Sequence, residues 1–359
     1  MKIFSWGIYL FVNLIFCIKY NPASEVKVLY LLIAYPLLVW SIFKLTQYKD
    51  IRKSSYFFIF VAAFILLLAF LLMHYIDKYT VDVDRWSALA FWSENLKNGV
   101  FPYGTPTHKG GYASPYPVWQ LFHFPFHLLG DTGYGQLFCL FIFFVFLYFN
   151  RKRLAGGAFI LLLALSPGFW WEMSVRSDLL CNMLLVYMFL SSMFYYQLWS
   201  KHLYWTAIVT GLFLCTKMLV AMPLFLFVFP HFLRLATKKK ICFALLVVAG
   251  VVVPFIPFLF GGHGILNHPE YNPMFQQTRQ GNMWIVMALF VLIVFASLRW
   301  KTMRNYFFLS GLFLFLLIAS VGIEITLSND IYYTLFGDEF DISYFNVSIP
   351  FFLFCITKK

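Results

Sequence analysis

The run YFFIFVAAFILLLAFLLMHYI, residues 56–76, is almost free of polar side chains, and the polar segment DKYTVDVDRW, residues 77–86, follows it directly. About 20 apolar residues are enough for a helix to cross the ~30 Å hydrocarbon core of a bilayer. Similar runs recur along the 359 residues, which are 62% hydrophobic and 12% charged, whereas soluble domains are about 25% charged. Because a spanning segment must satisfy its own backbone in lipid, the sequence predicts an all-α integral membrane protein.

The apolar runs predict a polytopic bundle of about twelve transmembrane helices, within a range of about ten to fourteen. We interpret residues 1–359 as a single transmembrane domain with three large extracytoplasmic loops, 77–132, 261–282 and 324–342. The predicted spans are 3–18, 27–46, 56–76, 133–150, 154–169, 178–197, 203–217, 218–236, 241–260, 283–299, 305–323 and 342–357.

The charge distribution predicts the orientation of this bundle. The chain carries 27 Lys and Arg against 15 Asp and Glu, and most of the basic residues fall in alternate turns that include both termini. The positive-inside rule therefore predicts a multi-pass protein of the cytoplasmic (inner or plasma) membrane with both termini inside. Basic residues confined to short turns also exclude nucleic acid as a partner. Asp50 is the one acid in a predicted cytoplasmic turn, so the extracytoplasmic face is predicted to be the active one.

The first extracytoplasmic loop holds the most concentrated polar signal. Residues 84–96 have the spacing of an amphipathic surface helix, which would place Trp86 at headgroup depth. Asp84 precedes this helix, and a simple N-cap role is the alternative for it. That alternative does not explain Asp82 and Arg85, or the aromatic and proline-rich segment that follows, which includes Tyr103.

Further charged side chains lie beside later spans. Glu172, Arg176 and Asp178 occur in WWEMSVRSDLLCNML, residues 170–184, where the alternative is a snorkelling arginine with solvated acids. Lys217 lies in the apolar stretch LCTKMLVAMP, residues 214–223, where a charge is a functional candidate unless the segment is a plain turn.

The two later loops give weaker signals. Residues 261–282 contribute Arg279 and Gln280 as candidates, and their two histidines and one glutamate are poor evidence for a metal site. Residues 324–343 contain Asp338, Glu339 and Asp341, and a solvated loop is the default interpretation there.

These groups suit the binding of a phosphorylated lipid. The cations Arg176, Lys217 and Arg279 can hold a lipid-linked phosphate and stabilise the charge that develops on a leaving phosphate. A carboxylate can take a proton from an acceptor hydroxyl, and aromatic side chains can stack on sugar rings. Because the sequence has no P-loop or dinucleotide fingerprint, an activated sugar donor would have to be lipid-linked.

The segments DVDRWSALAFWSENLKNGVFPYG (82–104) and SPYPVWQLFHFPFHLLGD (114–131) together resemble the first outer loop of the GT-C superfamily. These polytopic glycosyltransferases use polyprenyl-phosphate sugars, and the similarity is to the protein O-mannosyltransferase-like and polyprenol-phosphate-mannose-dependent branches. SVRSD (174–178) and CTKMLVAMP (215–223) also look like later elements of that family.

The resemblance implies that an aspartate of the first loop is the catalytic base. Asp84 has the expected distance to the Pro-Tyr turn and Asp82 is the rival, and the choice between them stays open. Arg85 is then a donor-phosphate ligand or the partner of one aspartate. Asp82 and Asp84 also form a DxD pattern, which leaves a divalent Mg²⁺ or Mn²⁺ open, although no cofactor and no metal ligand is assigned.

The resulting prediction is an inverting glycosyltransferase with an aspartate base. It would move a mannose-like or other sugar from a polyprenyl-phosphate donor to a lipid, glycan or protein acceptor at the extracytoplasmic face. The alternatives are a lipid-linked polysaccharide polymerase or ligase, and a multi-pass transporter or flippase. The residues predicted to contact donor or acceptor besides the base and the cations are Trp86, Tyr103, Glu172, Asp178 and Gln280.

Overall fold

The computed structural model describes residues 1–20, 25–48, 53–81, 83–260, 263–278, 282–337 and 340–358. Within these ranges helices are the only regular secondary structure, which confirms the all-α class. The α-helices of the first half are α1 (Lys2–Lys19), α2 (Glu25–Tyr48), α3 (Ser55–Tyr75), α4 (Arg85–Lys97), α5 (Pro117–Leu128), α6 (Tyr134–Phe149), α7 (Arg151–Leu154), α8 (Gly156–Ala164) and α9 (Pro167–Ser174). Those of the second half are α10 (Leu179–Tyr196), α11 (Leu198–Lys201), α12 (Leu203–Leu214), α13 (Ala221–Leu233), α14 (Thr237–Leu259), α15 (Pro273–Thr278), α16 (Met283–Ser297), α17 (Met303–Ser328), α18 (Ile331–Phe336) and α19 (Ile349–Thr357). Short 3₁₀ helices cover Met218–Val220, Pro269–Tyr271 and Ile342–Ser348.

Five of the described helices are long and apolar enough to cross a membrane, namely α1, α3, α10, α14 and α17. The pair α8 and α9 makes a sixth if the two are one bent span. Shorter apolar helices cover Leu31–Gln47, Tyr134–Phe149, Leu203–Leu214, Met218–Leu233, Met283–Ser297 and Ile342–Thr357. The chain therefore has the helices of a membrane protein, and the number of spans stays a prediction.

The break between α8 and α9 has a clear local cause. The sequence predicts one span over 154–169, whereas the axes of α8 and α9 differ by 68°. Pro167 is at the first position of α9 and the Ser166 hydroxyl accepts a hydrogen bond from the Phe169 amide, which is the usual chemistry of a helix start. The Asn13 side chain accepts bonds from Ser166 Oγ and from the Gly168 amide, so α1 fixes the bend.

The first polar loop contributes α4 and α5, which pack against each other. A helix is present where the sequence predicts one, and it ends just before Gly99, whose φ of 69° is in the left-handed region that glycine adopts easily. A small apolar cluster, which includes Trp92 and Tyr103, packs this loop against Phe258 near the end of α14.

Helices α12 and α14 touch through their backbones at two glycines. A Cβ atom added at Gly211 would lie 2.4 Å from the Val247 carbonyl oxygen and 2.9 Å from the Gly250 Cα. Neither obstacle is the end of a flexible side chain, so the two helices can pack this closely only without a side chain at Gly211.

Replacing Gly211 by valine is therefore expected to force α12 and α14 apart and to destabilise the protein by about 1–3 kcal/mol, the usual cost of overpacking. The thermal unfolding midpoint in detergent measures this. Gly7→Val is the matched control, because Gly7 is also a helix-interior glycine but has no neighbour within 4 Å of an added Cβ. Equal midpoints for the two variants would contradict the close approach of α12 and α14.

Candidate functional site

A cavity of about 1260 Å³ opens between the first polar loop and the second half of the bundle. One part of the cavity wall, which we call the polar end, combines residues from three distant parts of the sequence. It is formed by Asp84, Arg85, Lys217, Asp341 and Tyr344. The rest of the wall is mainly apolar, and most of it comes from α13, α14, α16 and α17. The volume exceeds the roughly 300–1,000 Å³ typical of sites for drug-sized ligands.

Arg85 is the most heavily bonded side chain of the polar end. Its guanidinium forms an ion pair with Asp341 and donates hydrogen bonds to Ser177 Oγ at 2.6 Å and to Ser343 Oγ at 2.7 Å. It also lies over the Tyr344 ring, 4.7 Å from the centroid. Arg85 thus joins the start of α4 to the segments that precede α10 and α19.

The surroundings of Arg85 keep its guanidinium charged. Burial lowers the pKa of this group, but the nearby acidic groups, of which Asp341 contributes most, together outweigh burial and raise the pKa. Arg85 is therefore a permanent cation at the cavity wall, with its side chain only 10% exposed.

Asp84 lies beside Arg85 but has a different environment. It occupies the N-cap position of α4, yet its side chain makes no capping hydrogen bond, so the N-cap alternative does not account for it. Its carboxylate accepts a hydrogen bond from Thr107 Oγ1 at 2.9 Å. Across the described residues it forms no ion pair, so Asp84 lines the cavity without a basic side chain beside its carboxylate.

Lys217 reaches the polar end from the short connection between α12 and α13. Its ammonium group is 2.9 Å from a carboxylate oxygen of Asp178, whose side chain is only 1% exposed. The Trp119 indole donates a further hydrogen bond to Asp178. The carboxylate is thus held from two sides, and it fixes Lys217 at the cavity wall.

The backbone explains how Lys217 reaches this place. The Tyr116 amide bonds to the Thr216 carbonyl at 3.0 Å, and the Val118 amide bonds to the Cys215 carbonyl at 3.2 Å. The first amides of a helix have no partner within it, and here the end of α12 supplies their acceptors. These two backbone hydrogen bonds bring α5, and with it Trp119, next to Lys217.

His123 lies one turn further along α5 and packs edge-on against Trp119. Its burial lowers its pKa to about 4, although the nearby Asp178 charge acts in the opposite direction. The imidazole is therefore neutral at pH 7, and it adds no third positive charge near Asp178.

Glu172 and Arg176 lie outside the lining of this cavity. Glu172 is fully buried and accepts hydrogen bonds from the Leu180 amide and the Asn346 side chain, both at 2.9 Å. Arg176 is held by Asp131 at 2.9 Å and also donates to the Met73 and Ile76 carbonyls at the end of α3. Both make contacts that join helices, and their predicted substrate roles stay predictions.

The aromatic candidates Trp86 and Tyr103 are also away from the cavity wall. Both are essentially buried within the protein, and the headgroup depth of Trp86 stays a prediction. The Tyr103 hydroxyl donates to the Pro115 carbonyl at 3.2 Å. Among the aromatic residues that do line the cavity, Tyr344 belongs to the polar end and Tyr112 comes from the first loop.

Three candidates, Asp82, Arg279 and Gln280, lie outside the described residues. Gln277 lies close to Arg279 in the sequence and lines the cavity, where its side chain accepts from the Met218 amide and donates to the Ser114 carbonyl, both at 2.6 Å.

Sequence reasoning assigns Asp341 to a solvated loop, and it gives no role to Tyr344 or Ser177. The one local signal is the Asp-x-Ser pattern at 341–343, in which Asp341 accepts a bond from the Ser343 amide. That pattern indicates a turn at a helix start and carries no information about a partner 256 residues away. No described group of three or more His, Cys, Asp or Glu side chains is arranged to hold a metal ion.

No protein-family model, curated protein or solved structure matches this chain.

Proposed function

We propose that this protein is a GT-C-type membrane glycosyltransferase that takes its sugar from a polyprenyl-phosphate donor. The observation that carries the proposal is the cavity, which combines three features in one space. They are a carboxylate without an ion pair among the described residues (Asp84), two cations with little exposure (Arg85 and Lys217), and a long apolar wall. A sugar linked through phosphate to a long hydrocarbon needs these three environments side by side.

In the proposed reaction, the Asp84 carboxylate removes the proton from an acceptor hydroxyl while the hydroxyl oxygen attacks the anomeric carbon. The bond between this carbon and the phosphate oxygen breaks, and its electron pair leaves with polyprenyl phosphate. Arg85 and Lys217 stabilise the charge that develops on this phosphate, where fixed cations in a water-poor site are most effective. Attack opposite to the leaving group inverts the anomeric configuration.

The membrane arrangement that we propose has about twelve spans, with both termini in the cytoplasm and the cavity's polar end at the extracytoplasmic face. Support comes from the basic turns and from the acids, since Asp84, Asp178 and Asp341 all belong to segments that the positive-inside rule puts outside. The acceptor would be a lipid, glycan or protein at that face.

The apolar wall argues against a transporter or flippase. A path for a polar headgroup along α13 and α16 would need polar side chains, and residues such as Phe225, Phe229 and Phe290 line it instead. A lipid-linked polysaccharide polymerase or ligase differs from our proposal in the donor, which would carry an oligosaccharide.

The experiment is sugar transfer by the purified protein in detergent or liposomes. We expect radiolabelled sugar to leave synthetic polyprenyl-phosphate hexoses, mannose first, and to appear in an added membrane-lipid or glycan acceptor. Transfer from oligosaccharide diphosphate lipids alone would identify the polymerase or ligase. Movement of labelled lipid across liposomes without any glycosidic product would identify a flippase.

A further inference from the structure

The apolar wall of the cavity follows α13 along its whole length. From Ala221 near the polar end to Leu233 at the far end, this helix has 13 residues, which corresponds to roughly 20 Å at 1.5 Å per residue. One leaflet contributes only about half of the ~30 Å hydrocarbon core. A hydrocarbon tail that follows α13 from the polar end therefore has room for more than the length of one leaflet.

The far end of the cavity is lined by aromatic side chains. Phe232 at the end of α13 and Phe243 near the start of α14 both line it, with ring centroids 6.0 Å apart. Behind Phe243 lies Trp199 of α11, with a centroid distance of 4.9 Å. We call these three residues the aromatic plug.

The position of Phe243 indicates a wall rather than a passage. Its side chain is only 2% exposed, although its neighbour Ala244 is exposed and also lines the cavity. Trp199 is in turn backed by Phe227 and His231 of α13, so the barrier is more than one ring thick. The plug thus separates the cavity from the α11 end of the bundle.

We propose that the aromatic plug sets the length of the donor's hydrocarbon tail that the protein prefers, with Phe243 as the main specificity-determining residue. This inference rests on the proposed function, because it takes the tail to be a polyprenyl chain. Each isoprene unit that fits below the polar end buries further apolar surface and adds affinity. The first unit that meets Phe243 has no room, so affinity stops increasing at that length.

The test measures binding of a ladder of polyprenyl monophosphates that differ by one isoprene unit, with no sugar and no acceptor present. Thermal stabilisation of the full-length protein in detergent gives the apparent affinity for each length. For the wild type we expect affinity to rise along the ladder and then to level off. Phe243→Ala should move this break to longer tails. The first tail length that the wild type disfavours should bind roughly tenfold more tightly to this variant, since one methylene more or less in an apolar pocket changes binding about 10–200-fold.

Two further variants keep the test decisive if Phe243→Ala unfolds. Ala244→Phe fills the far end of the cavity from an exposed position and should move the break to shorter tails. Phe255→Ala is the matched control, because Phe255 is also a 2% exposed aromatic residue of α14 but packs on Tyr116 and does not line the cavity, and it should leave the break in place.

The outcomes separate this inference from the proposed function. Binding at all lengths with no break, or a break that neither Phe243→Ala nor Ala244→Phe moves, overturns the plug even if sugar transfer is observed. A break that moves as expected supports the plug even if no sugar is transferred. If no polyprenyl phosphate binds to the wild type, the inference is overturned together with the donor on which it rests.

Discussion

Replacing Asp84 by asparagine is expected to lower sugar transfer by about 10²–10⁴-fold, the usual contribution of a general base. The amide is nearly the same size as the carboxylate, and its oxygen can still accept the hydrogen bond from Thr107. Because the Asp84 side chain does not cap α4, the unfolding midpoint should stay close to that of the wild type. Binding of polyprenyl monophosphate should also persist, which separates loss of chemistry from loss of donor.

Glu94→Gln is the matched control for Asp84→Asn. Glu94 is an acid of α4, the helix that Asp84 precedes, but it is about half exposed and interacts with Lys97 and His127, outside the cavity lining. This variant should retain full transfer.

Asp82→Asn has to be measured in parallel, since the sequence does not choose between the two aspartates. Loss of transfer with Asp82→Asn alone would move the base to Asp82. Full transfer by both asparagine variants would contradict a carboxylate base in this loop.

The class of the fold follows from the sequence because it depends on a property that each segment carries by itself. An apolar run such as 56–76 must form a helix in lipid, and α3 covers almost the same residues. The points at which a helix bends or ends inside an apolar run are harder to predict, because they depend on contacts with other helices. The bend at Ser166 and Pro167 is an example, since Asn13 of α1 contributes to it.

The sequence likewise predicts some residues of the candidate site but not their bonding partners. Asp84 and Lys217 attract attention in the sequence because charge is costly beside apolar runs, and both line the cavity. The side chains that bond to such charged residues cannot be predicted in this way, because packing between distant segments determines them. Arg85, next to Asp84 in the sequence, bonds instead to Asp341. Arg176 has the same sequence signature as Lys217, yet it binds the end of α3.

The pair of Lys217 and Asp178 should give the largest effect on stability. Lys217→Met leaves the Asp178 carboxylate buried without its counter-ion, and breaking a buried pair from one side typically costs about 3–5 kcal/mol. We expect a correspondingly lower unfolding midpoint in detergent. Transfer should also fall, by roughly 10²–10³-fold, if the ammonium group stabilises the leaving phosphate.

The double variant Lys217→Met with Asp178→Asn separates these two effects. It removes both charges, and the amide oxygen of the introduced asparagine can still accept the hydrogen bond from the Trp119 indole. Stability should therefore recover most of what either single change loses, since a neutral pair has no unpaired buried charge. Transfer should stay low, because the cation at the cavity wall is still missing.

The exposed pair of Lys97 and Glu94 provides the matched control for this cycle. Both side chains are about half exposed, and exposed pairs contribute about 0–1 kcal/mol. Their single and double variants should differ little in midpoint or in transfer. If the double change at 178 and 217 restores transfer along with stability, Lys217 serves only to neutralise Asp178, and Arg85 remains as the described cation that can bind the phosphate. If the double variant is no more stable than the single variants, the energetic coupling between Lys217 and Asp178 is absent, and the polar end is held together by the contacts of Arg85 instead.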